Sequence, residues 1–262
     1  MQRTPLPSFP EPLSPSLSRL ISDSPVYDSS CSDLARVYFI DRDSGLYLKT
    51  AAPGALQDET ILTRYFHGLH FGPEVIYSES GARDYLLTRR IPGEDCIHPM
   101  YLDNPDRLCD TLAAILRLLH DTSPEGCPIT HPVPTLPDWT DNEIRLHYKP
   151  RRFLGAVPFR TAEDAWDTLS HLLPGLQPEV LIHGDYCLPN VILKDWQFSG
   201  LIDLGGGGLG SRYLDLFWTL WSLCYNLKSD RYTDRFLDAY GRDRFDPKLL
   251  LAQAALEGFD FP

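Results

Sequence analysis

Residues 183–203 have the sequence HGDYCLPNVILKDWQFSGLID, which contains three polar side chains suited to one kind of chemistry. Asp185 stands in a predicted turn, Asn190 begins the next predicted strand, and Asp203 ends the hairpin that follows. Such spacing allows the three side chains to converge on one point. Asn190 and Asp203 offer the hard oxygen atoms that Mg²⁺ takes beside water and phosphate oxygens. Asp185 then remains to orient a hydroxyl and accept its proton, so the segment predicts a kinase-type phosphoryl-transfer site.

The segments on either side of this motif predict an α+β protein in two parts, joined by the Pro-Gly linker IPGED (91–95). The elements before the linker are a short helix at 14–22, strands at 34–41, 45–50, 73–78 and 83–90, and one main helix at 57–69. The elements after it are helices at 104–119, 161–173, 212–226, 230–240 and 246–256, with short strands at 180–183, 190–194 and 198–203. We therefore predict a mainly antiparallel nucleotide-binding domain with its hinge at 1–93, and a mostly helical catalytic and substrate-binding domain at 94–262.

The composition excludes several other classes of protein. The 262 residues carry 24 basic and 36 acidic side chains, a net charge of −12, which disfavours nucleic acid and anionic membranes as partners. No apolar run approaches the ~18 residues that a membrane-spanning helix needs. The six cysteines form no Cys-x-x-Cys pair and the first residues show no signal-peptide pattern, so we expect a cytoplasmic protein, by default a monomer.

The first predicted domain offers the residues that a nucleotide-binding site needs. A kinase uses a strand lysine on the nucleotide phosphates, held by a glutamate on a helix. Lys49 lies on a predicted strand, and Glu59 lies on the next helix in line with Leu62 and Phe66. Tyr47 shares the strand face of Lys49 and is placed to cover an adenine ring. The alternatives are solvated surface charges for Lys49 and Glu59, and simple packing for Tyr47.

The HGD-x4-N motif and the following Ile-Asp-Leu-Gly resemble the signature of aminoglycoside phosphotransferases. The flanking sequence is most similar to the 3′-phosphotransferase, or kanamycin kinase, branch, and the resemblance extends roughly from Ser14 to Phe259. It implies a two-lobed protein-kinase-like fold, with Mg²⁺ as cofactor and ATP or GTP as co-substrate. The implied activity is transfer of the γ-phosphoryl group to the 3′-hydroxyl of an aminoglycoside, and therefore antibiotic resistance.

The resemblance also implies roles for residues outside the central motif. Ser32 and Asp33 would lie at the tip of a loop over the phosphates. Backbone groups of Arg89 and Ile91 would contact the adenine edge at the hinge.

Two further residues near the motif are interpreted as structural. His183 is placed to position the catalytic loop rather than to act as a base. Asp215, in the helix after the metal loop, would brace the catalytic loop, as the family's aspartate does at this position.

A polycationic acceptor requires a cluster of carboxylates, and the resemblance places it in the insert before the HGD strand and at the C-terminus. The candidate acceptor-binding residues are Asp138, Asp141, Glu143, Glu257 and Phe259. The insert continues, however, with five residues of the opposite character: Arg145, His147, Lys149, Arg151 and Arg152. This run favours a narrower or different substrate, unless it forms a solvated surface.

Two alternative functions remain open on the sequence. The first is a kinase of another small alcohol, such as an amino alcohol or a sugar. The second is a nucleotide-binding pseudokinase, although such proteins usually lack one of the three motif side chains, and Asp185, Asn190 and Asp203 are all present.

Overall fold

The computed structural model describes residues 3–10, 13–30, 35–151 and 158–261. The chain divides into two compact units, Met1–Asp95 with Ile192–Gly205, and Cys96–Val191 with Gly206–Pro262. The hairpin that leads to Asp203 therefore belongs to the first unit, whereas Asp185 and Asn190 belong to the second. The domain boundary between residues 93 and 94 stays a prediction. No helix among the described residues is long and apolar enough to cross a membrane.

The first unit is built on an antiparallel sheet whose strands, as far as they are described, follow the order β1-β2-β3-β4-β6-β5. The strands are β1 (Thr4–Leu6), β2 (Val26–Asp28), β3 (Ala35–Ile40), β4 (Leu46–Ala51), β5 (Val75–Ser80) and β6 (Asp84–Arg89). Leu46 and Leu48 alternate into a core cluster, as the two-residue period of a strand requires. Tyr47 and Lys49 consequently occupy the opposite face of β4.

Two helices and a second small sheet complete the first unit. Helix α1 (Pro15–Ile21) begins after Ser14, whose side chain accepts a hydrogen bond from the backbone of Leu17. Helix α2 (Gln57–Gly68) buries Leu62 and Phe66 completely, which turns Glu59 inward on the same face. The second sheet has the order β10-β9-β7. Its strands are β7 (Glu94–Asp95), β9 (Val191–Lys194) and β10 (Gln197–Leu201).

The second unit is mostly helical in its described residues. Its helices are α3 (Pro99–Leu102), α4 (Pro105–His120), α5 (Asp141–His147), α6 (Ala162–Leu172), α7 (Arg212–Leu227), α8 (Thr233–Tyr240) and α9 (Pro247–Leu256). Strands β8 (Val180–Ile182) and β11 (Gly208–Gly210) form an antiparallel pair. The predicted α+β class, with an antiparallel sheet in the first part and helices in the second, is confirmed.

An aromatic cluster anchors the C-terminal residues to the insert that carries α5. The ring of Trp139 stacks on His147 at 4.4 Å and on Phe261 at 5.4 Å, measured between centroids. Trp166 and Phe259 pack against the same indole. Helix α5, which was not predicted, begins with a reciprocal pair of hydrogen bonds between Thr140 and Glu143. The described part of the insert, through residue 151, is therefore packed into the second unit.

Much of the basic run in the insert is paired within this unit. Arg145 forms an ion pair with Glu163 at 2.5 Å, and Lys149 forms one with Asp260. Arg151 donates to the backbone oxygen of Glu257 at 2.7 Å. These contacts connect the described part of the run to α6 and to the C-terminus, and acidic side chains of the same unit pair with Arg145 and Lys149. Arg152 lies outside the described residues.

Helix α4 provides a test of where the stability of the second unit originates. Leu112 is fully buried, whereas Leu118, on the same helix, is 55% exposed. We expect Leu112→Ala to lower the free energy of unfolding by about 2–5 kcal/mol, because it leaves a cavity in the core. Leu118→Ala should change it by no more than about 0.5 kcal/mol. Urea denaturation of both variants measures the difference, and equal effects would contradict this assignment of the core.

Candidate active site

In the first unit, Lys49 on β4 contacts Glu59, which the sequence predicted as its partner, and also Asp203, which the sequence predicted only as a metal ligand. Its Nζ atom lies 2.9 and 2.8 Å from the two carboxylate oxygens of Glu59, on α2. It also lies 2.5 Å from Oδ1 of Asp203, which follows β10 in a left-handed backbone conformation with φ of 60°. The alternative of a solvated surface lysine does not fit, because only 21% of the Lys49 side chain is exposed.

The electrostatics of this cluster keep Lys49 charged. Burial alone lowers the pKa of a lysine, but the carboxylates of Glu59 and Asp203 outweigh it and raise the pKa of Lys49 above its ordinary value. One ammonium thus faces two carboxylates. The Asp203 side chain remains half exposed, so its carboxylate is also accessible to solutes.

Two of the other residues predicted to bind the nucleotide, Tyr47 and Arg89, contact side chains of the first unit. The hydroxyl of Tyr47 accepts a hydrogen bond from Arg3 at 2.9 Å, and its ring packs 5.3 Å from that of Phe39. Arg89 donates to the carboxylate of Glu74 at 2.7 Å, and this ion pair is exposed. The roles of Tyr47, Arg89 and Ile91 toward an adenine ring stay predictions. Ser32 and Asp33 lie outside the described residues.

In the second unit, the loop after β8 brings Asp185 and Asn190 together. The Asn190 Nδ2 atom donates to the backbone oxygen of Asp185 at 3.0 Å and to its Oδ2 atom at 2.9 Å. Asn190 ends a short 3₁₀ turn, Leu188–Asn190, that carries its side chain back toward the start of the loop. This contact holds the Asp185 carboxylate in place. It also directs the Asn190 amide oxygen away from that carboxylate.

The fully buried carboxylate of Asp215, on α7, accepts hydrogen bonds from the backbone of the same loop. One of its oxygens accepts the backbone N–H of His183, and the other accepts that of Gly184, both at 2.8 Å. The imidazole of His120 lies 3.2 Å from the carboxylate and 2.8 Å from the hydroxyl of Tyr240. His120 and Tyr240 were not predicted. The sequence feature that could have indicated His120 is its position as a polar residue on the otherwise apolar face of α4.

His183 and Gly184 are closely surrounded by other residues of the second unit. His183 is fully buried, and its Nδ1 atom accepts the backbone N–H of Asp185 at 3.2 Å. Gly184 has φ of 84°, and a Cβ atom there would lie 1.9 Å from the backbone oxygen of Gly206. The loop therefore requires glycine at position 184, because any side chain would displace the segment that follows Asp203.

Asp203 and Asn190 have the donor chemistry that suits Mg²⁺. Each offers a hard oxygen atom that makes no hydrogen bond to the described residues, Oδ2 in Asp203 and Oδ1 in Asn190. The described part of the chain contains no group of three or more His, Cys, Asp or Glu side chains that could hold a metal ion by itself. Each of these oxygen atoms, considered within its own unit, is of the kind that Mg²⁺ takes beside phosphate and water oxygens.

The predicted acceptor-binding residues lie on the insert and at the C-terminus. Asp138 and Asp141 are exposed, and Glu143 is occupied by its hydrogen bonds to Thr140. Phe259 is buried in the aromatic cluster around Trp139. Their roles toward an acceptor stay predictions.

Glu257 differs from the exposed carboxylates of the insert because it is largely buried. Burial raises its pKa above the ordinary value, and the hydrogen bond from Gln253 and the charge of Arg151 offset only part of this effect. Asp185 is near enough to raise the pKa further. Among the predicted acceptor-binding residues, Glu257 is therefore one whose pKa depends on the charge of the catalytic loop.

A cavity of about 570 Å³ opens beside Asp185 and Asn190 in the second unit. Three aromatic side chains of α7 line it: Trp218, Trp221 and Tyr225. The five predicted acceptor residues are not among its described lining. Large apolar residues on a helix usually belong to the core, so the sequence alone did not indicate this cavity.

The raised pKa of Glu257 gives a pH-dependent test. The folded state favours the neutral carboxyl, so its stability contribution is complete below the ordinary pKa of about 4.3 and declines as pH rises through the folded value. We therefore expect Glu257→Gln to gain thermal stability relative to the unmodified chain between pH 4 and pH 7.

Glu143→Gln is the control, because hydrogen bonds from Thr140 lower the pKa of Glu143. Its relative stability should stay level above the ordinary pKa of about 4.3 and rise only below it, where the unmodified chain loses this contribution on acidification. Thermal unfolding at several pH values measures both trends, and parallel trends would contradict the assignment.

Comparison with known proteins relates the chain to a protein family, to curated relatives and to solved structures. Residues 32–250 match the model of the family described as the phosphotransferase enzyme family. The chain is 40% identical over 252 residues to a probable aminoglycoside 3′-phosphotransferase of Lactococcus lactis, covering 96% of this chain and 95% of the relative. A crystal structure of an aminoglycoside 3′-phosphotransferase of type VIII superposes with a TM-score of 0.69 at 22% identity, covering 93% of this chain and 97% of that one.

One further structural neighbour carries ligands. An aminoglycoside phosphotransferase from Streptomyces rimosus, solved in complex with ADP and streptomycin, superposes with a TM-score of 0.60 at 22% identity. The match covers 84% of this chain and 90% of that one. The structural matches confirm the predicted fold.

Proposed function

The chain belongs to the phosphotransferase enzyme family, and from this premise we propose that it transfers the γ-phosphoryl group of ATP or GTP to the 3′-hydroxyl of an aminoglycoside. The observation that carries the reaction type is the position of Lys49, within hydrogen-bond distance of both Glu59 and Asp203. The acceptor is supported by the name of the relative from Lactococcus lactis, and the nucleotide by the ADP complex of the structural neighbour.

Lys49 and Glu59 form the nucleotide side of the proposed mechanism. Glu59 fixes the Lys49 ammonium, which is then placed to bind phosphate oxygens and to neutralise the charge that develops on them. Asp203 and Asn190 would hold Mg²⁺, which when bound supplies further neutralisation of the phosphate charge.

Asp185 forms the acceptor side. Its carboxylate would orient the attacking hydroxyl and accept its proton late in the transfer. The oxygen of that hydroxyl forms a bond to the γ-phosphorus while the bond between this phosphorus and the β–γ bridging oxygen breaks and the nucleoside diphosphate leaves. The hydrogen bond from Asn190 to Oδ2 keeps the carboxylate in a fixed orientation. Asp215 contributes as a positioning residue, since it binds the loop backbone at His183 and Gly184. Positioning and charge neutralisation thus supply most of the proposed rate enhancement.

Asp185→Asn tests the acceptor side. The amide keeps the size of the carboxylate but cannot accept the proton, so we expect kcat to fall at least ~10²-fold while nucleotide affinity is retained. The measurement is coupled nucleotide turnover with Mg²⁺, ATP or GTP and a panel of kanamycin- and neomycin-type acceptors.

Asp195→Asn is the matched control, because Asp195 is exposed in the β9–β10 turn and has the left-handed φ of 52° that asparagine also adopts. It should keep full activity. Full activity of Asp185→Asn would show that the assignment of roles is wrong, and turnover on other alcohols alone would identify a kinase of a different small molecule.

Lys49→Met tests the nucleotide side. Removal of the ammonium leaves the phosphate charge uncompensated and leaves Glu59 and Asp203 without their shared cation. We expect kcat/KM for the nucleotide to fall roughly 10²–10³-fold, the range found when one electrostatic stabiliser is removed. Lys194→Met, which replaces an exposed strand lysine of the same unit, should have little effect. Similar steady-state kinetics for the two variants would contradict the proposed role.

A further inference from the structure

The connection between β4 and α2 sets the distance between Lys49 and Glu59 in the first unit. Strand β4 ends at Ala51 and α2 begins at Gln57, so residues 52–56 determine how the helix leaves the sheet. Glu59 lies in the first turn of α2, and a shift of this connection would therefore move its carboxylate relative to the Lys49 ammonium. The proposed nucleotide site thus depends on how residues 52–56 are held.

The start of α2 is capped by a residue from another element. The first four backbone N–H groups of a helix have no partner within it. The residue directly before α2 is Leu56, which makes no side-chain cap, in contrast to Ser14 before α1. Asp84, at the start of β6, supplies the acceptor instead: its Oδ2 atom accepts the backbone N–H of Leu56 at 2.9 Å.

Asp84 is a buried carboxylate with both oxygens bound. Its side chain is part of a residue that is only 2% exposed, and its Oδ1 atom accepts the hydroxyl of Ser80 at 2.7 Å. Burial alone would raise the pKa of Asp84, but hydrogen bonds from Ser80 and from the backbone of Leu56 and Gly54 lower it below its ordinary value. Asp84 is therefore an anion at neutral pH, and a negative charge stabilises the N-terminus of a helix.

Asp84 also belongs to the sheet that carries Lys49. In the register of β4 and β6, Asp84 pairs with Ala51 and Leu86 pairs with Lys49. Ala51, Leu86 and Leu56 form a small apolar cluster beside these pairs. One residue of β6 is thus connected both to the strand of the proposed phosphate-binding lysine and to the start of the helix that follows it.

We infer that Asp84 is a positioning residue of the nucleotide site: its carboxylate holds the start of α2 against β6 and so keeps Glu59 in contact with Lys49. Pairing of the strands does not require a carboxylate at this position, because backbone groups make those hydrogen bonds. The buried charge therefore serves the connection that it binds. The inference rests on the proposed function and adds to it a residue outside the sequence motif.

Asp84→Ala tests the inference by titration calorimetry with Mg²⁺ and a non-hydrolysable ATP analogue, which requires no acceptor. Binding should weaken roughly 10-fold, less than the ~10²-fold that a misplacement of 1 Å can cost. In steady-state kinetics, KM for the nucleotide should rise while KM for kanamycin stays the same. A general loss of folded protein would not produce this difference between the two substrates.

Ser14→Ala is the matched control, because it removes the cap of α1, the other helix of the same unit. The Ser14 hydroxyl accepts the backbone N–H of Leu17 at 3.3 Å. Its loss should lower thermal stability and leave the affinity for the ATP analogue unchanged. An equal loss of affinity in Ser14→Ala and Asp84→Ala would contradict a specific role for Asp84.

A double-mutant cycle with Glu59→Gln shows whether Asp84 acts through Glu59. Glu59→Gln removes the carboxylate that Asp84 is inferred to position. In that background Asp84→Ala should change the affinity for the ATP analogue less than about 2-fold, because the two effects are coupled. An undiminished effect of Asp84→Ala in the Glu59→Gln chain would overturn the inference.

Two milder variants keep the inference testable if Asp84→Ala does not fold. Ser80→Ala removes one hydrogen bond from the Asp84 carboxylate and should weaken binding of the ATP analogue about 2- to 3-fold, the lower end of the effect of one hydrogen bond. Asp84→Asn keeps an oxygen that can accept the N–H of Leu56 and should retain most of the affinity.

The outcomes separate this inference from the proposed function. Unchanged nucleotide affinity in Asp84→Ala and Ser80→Ala, in a chain that phosphorylates kanamycin, would overturn the inference and support the proposed function. Nucleotide affinity that depends on Asp84 in a chain that phosphorylates no aminoglycoside would have the reverse meaning. Absence of nucleotide binding by the unmodified chain would overturn both.

Discussion

The geometry of the catalytic loop depends on one buried carboxylate, that of Asp215. An isolated charge in a protein interior is strongly destabilising, and here the backbone N–H groups of His183 and Gly184 and the imidazole of His120 compensate it. Both carboxylate oxygens are engaged, so the loop has one preferred position relative to α7. The orientation of Asp185 follows from that position, because its own backbone N–H is bound by His183.

In the first unit, the Lys49 ammonium is held by one buried carboxylate, that of Glu59, and one exposed carboxylate, that of Asp203. Glu59 is held inward by the packing of Leu62 and Phe66, and it fixes the Lys49 ammonium from the buried side. Asp203 approaches the same ammonium with a side chain that is 52% exposed. The Glu59 carboxylate is therefore fixed and shielded from solvent, whereas the Asp203 carboxylate is accessible to solutes. A site that must bind and release a charged ligand requires both properties.

Elements with a clear period were predictable from the sequence. Strand β4 and helices α2, α4 and α7 were predicted almost to their ends, because their apolar residues repeat at two or at three to four positions. Strand β1 and helix α5 were missed. The former has three residues in a Pro- and Ser-rich segment, and the latter has seven and depends on its capping pair and on Trp139. Short elements of this kind are stabilised by tertiary contacts that no local pattern contains.

The candidate site was predictable where its chemistry is local. Asp185 and Asn190 are five residues apart, and their spacing alone indicated that they meet. The contacts of Asp215 with His120 and of His120 with Tyr240 join residues 95 and 120 positions apart, which a single sequence does not reveal. The aromatic residues Trp218, Trp221 and Tyr225 were missed for a different reason: their spacing is that of a buried helix face, and only the folded chain shows that this face borders a cavity.

The hairpin at Ile192–Gly205 has a consequence for how the protein is synthesised. Lys49 and Asp203 are 154 residues apart, so the ribosome must make most of the chain before this ion pair can form. At roughly 5–20 residues per second, the interval is about 8–30 s. During this interval Glu59 has been synthesised and can pair with Lys49, whereas Asp203 has not. Strand β7 likewise lacks β9, the strand with which it pairs. The N-terminal part of the nascent chain thus leaves the ribosome as an incomplete unit, and its last elements arrive after much of the helical unit has been translated.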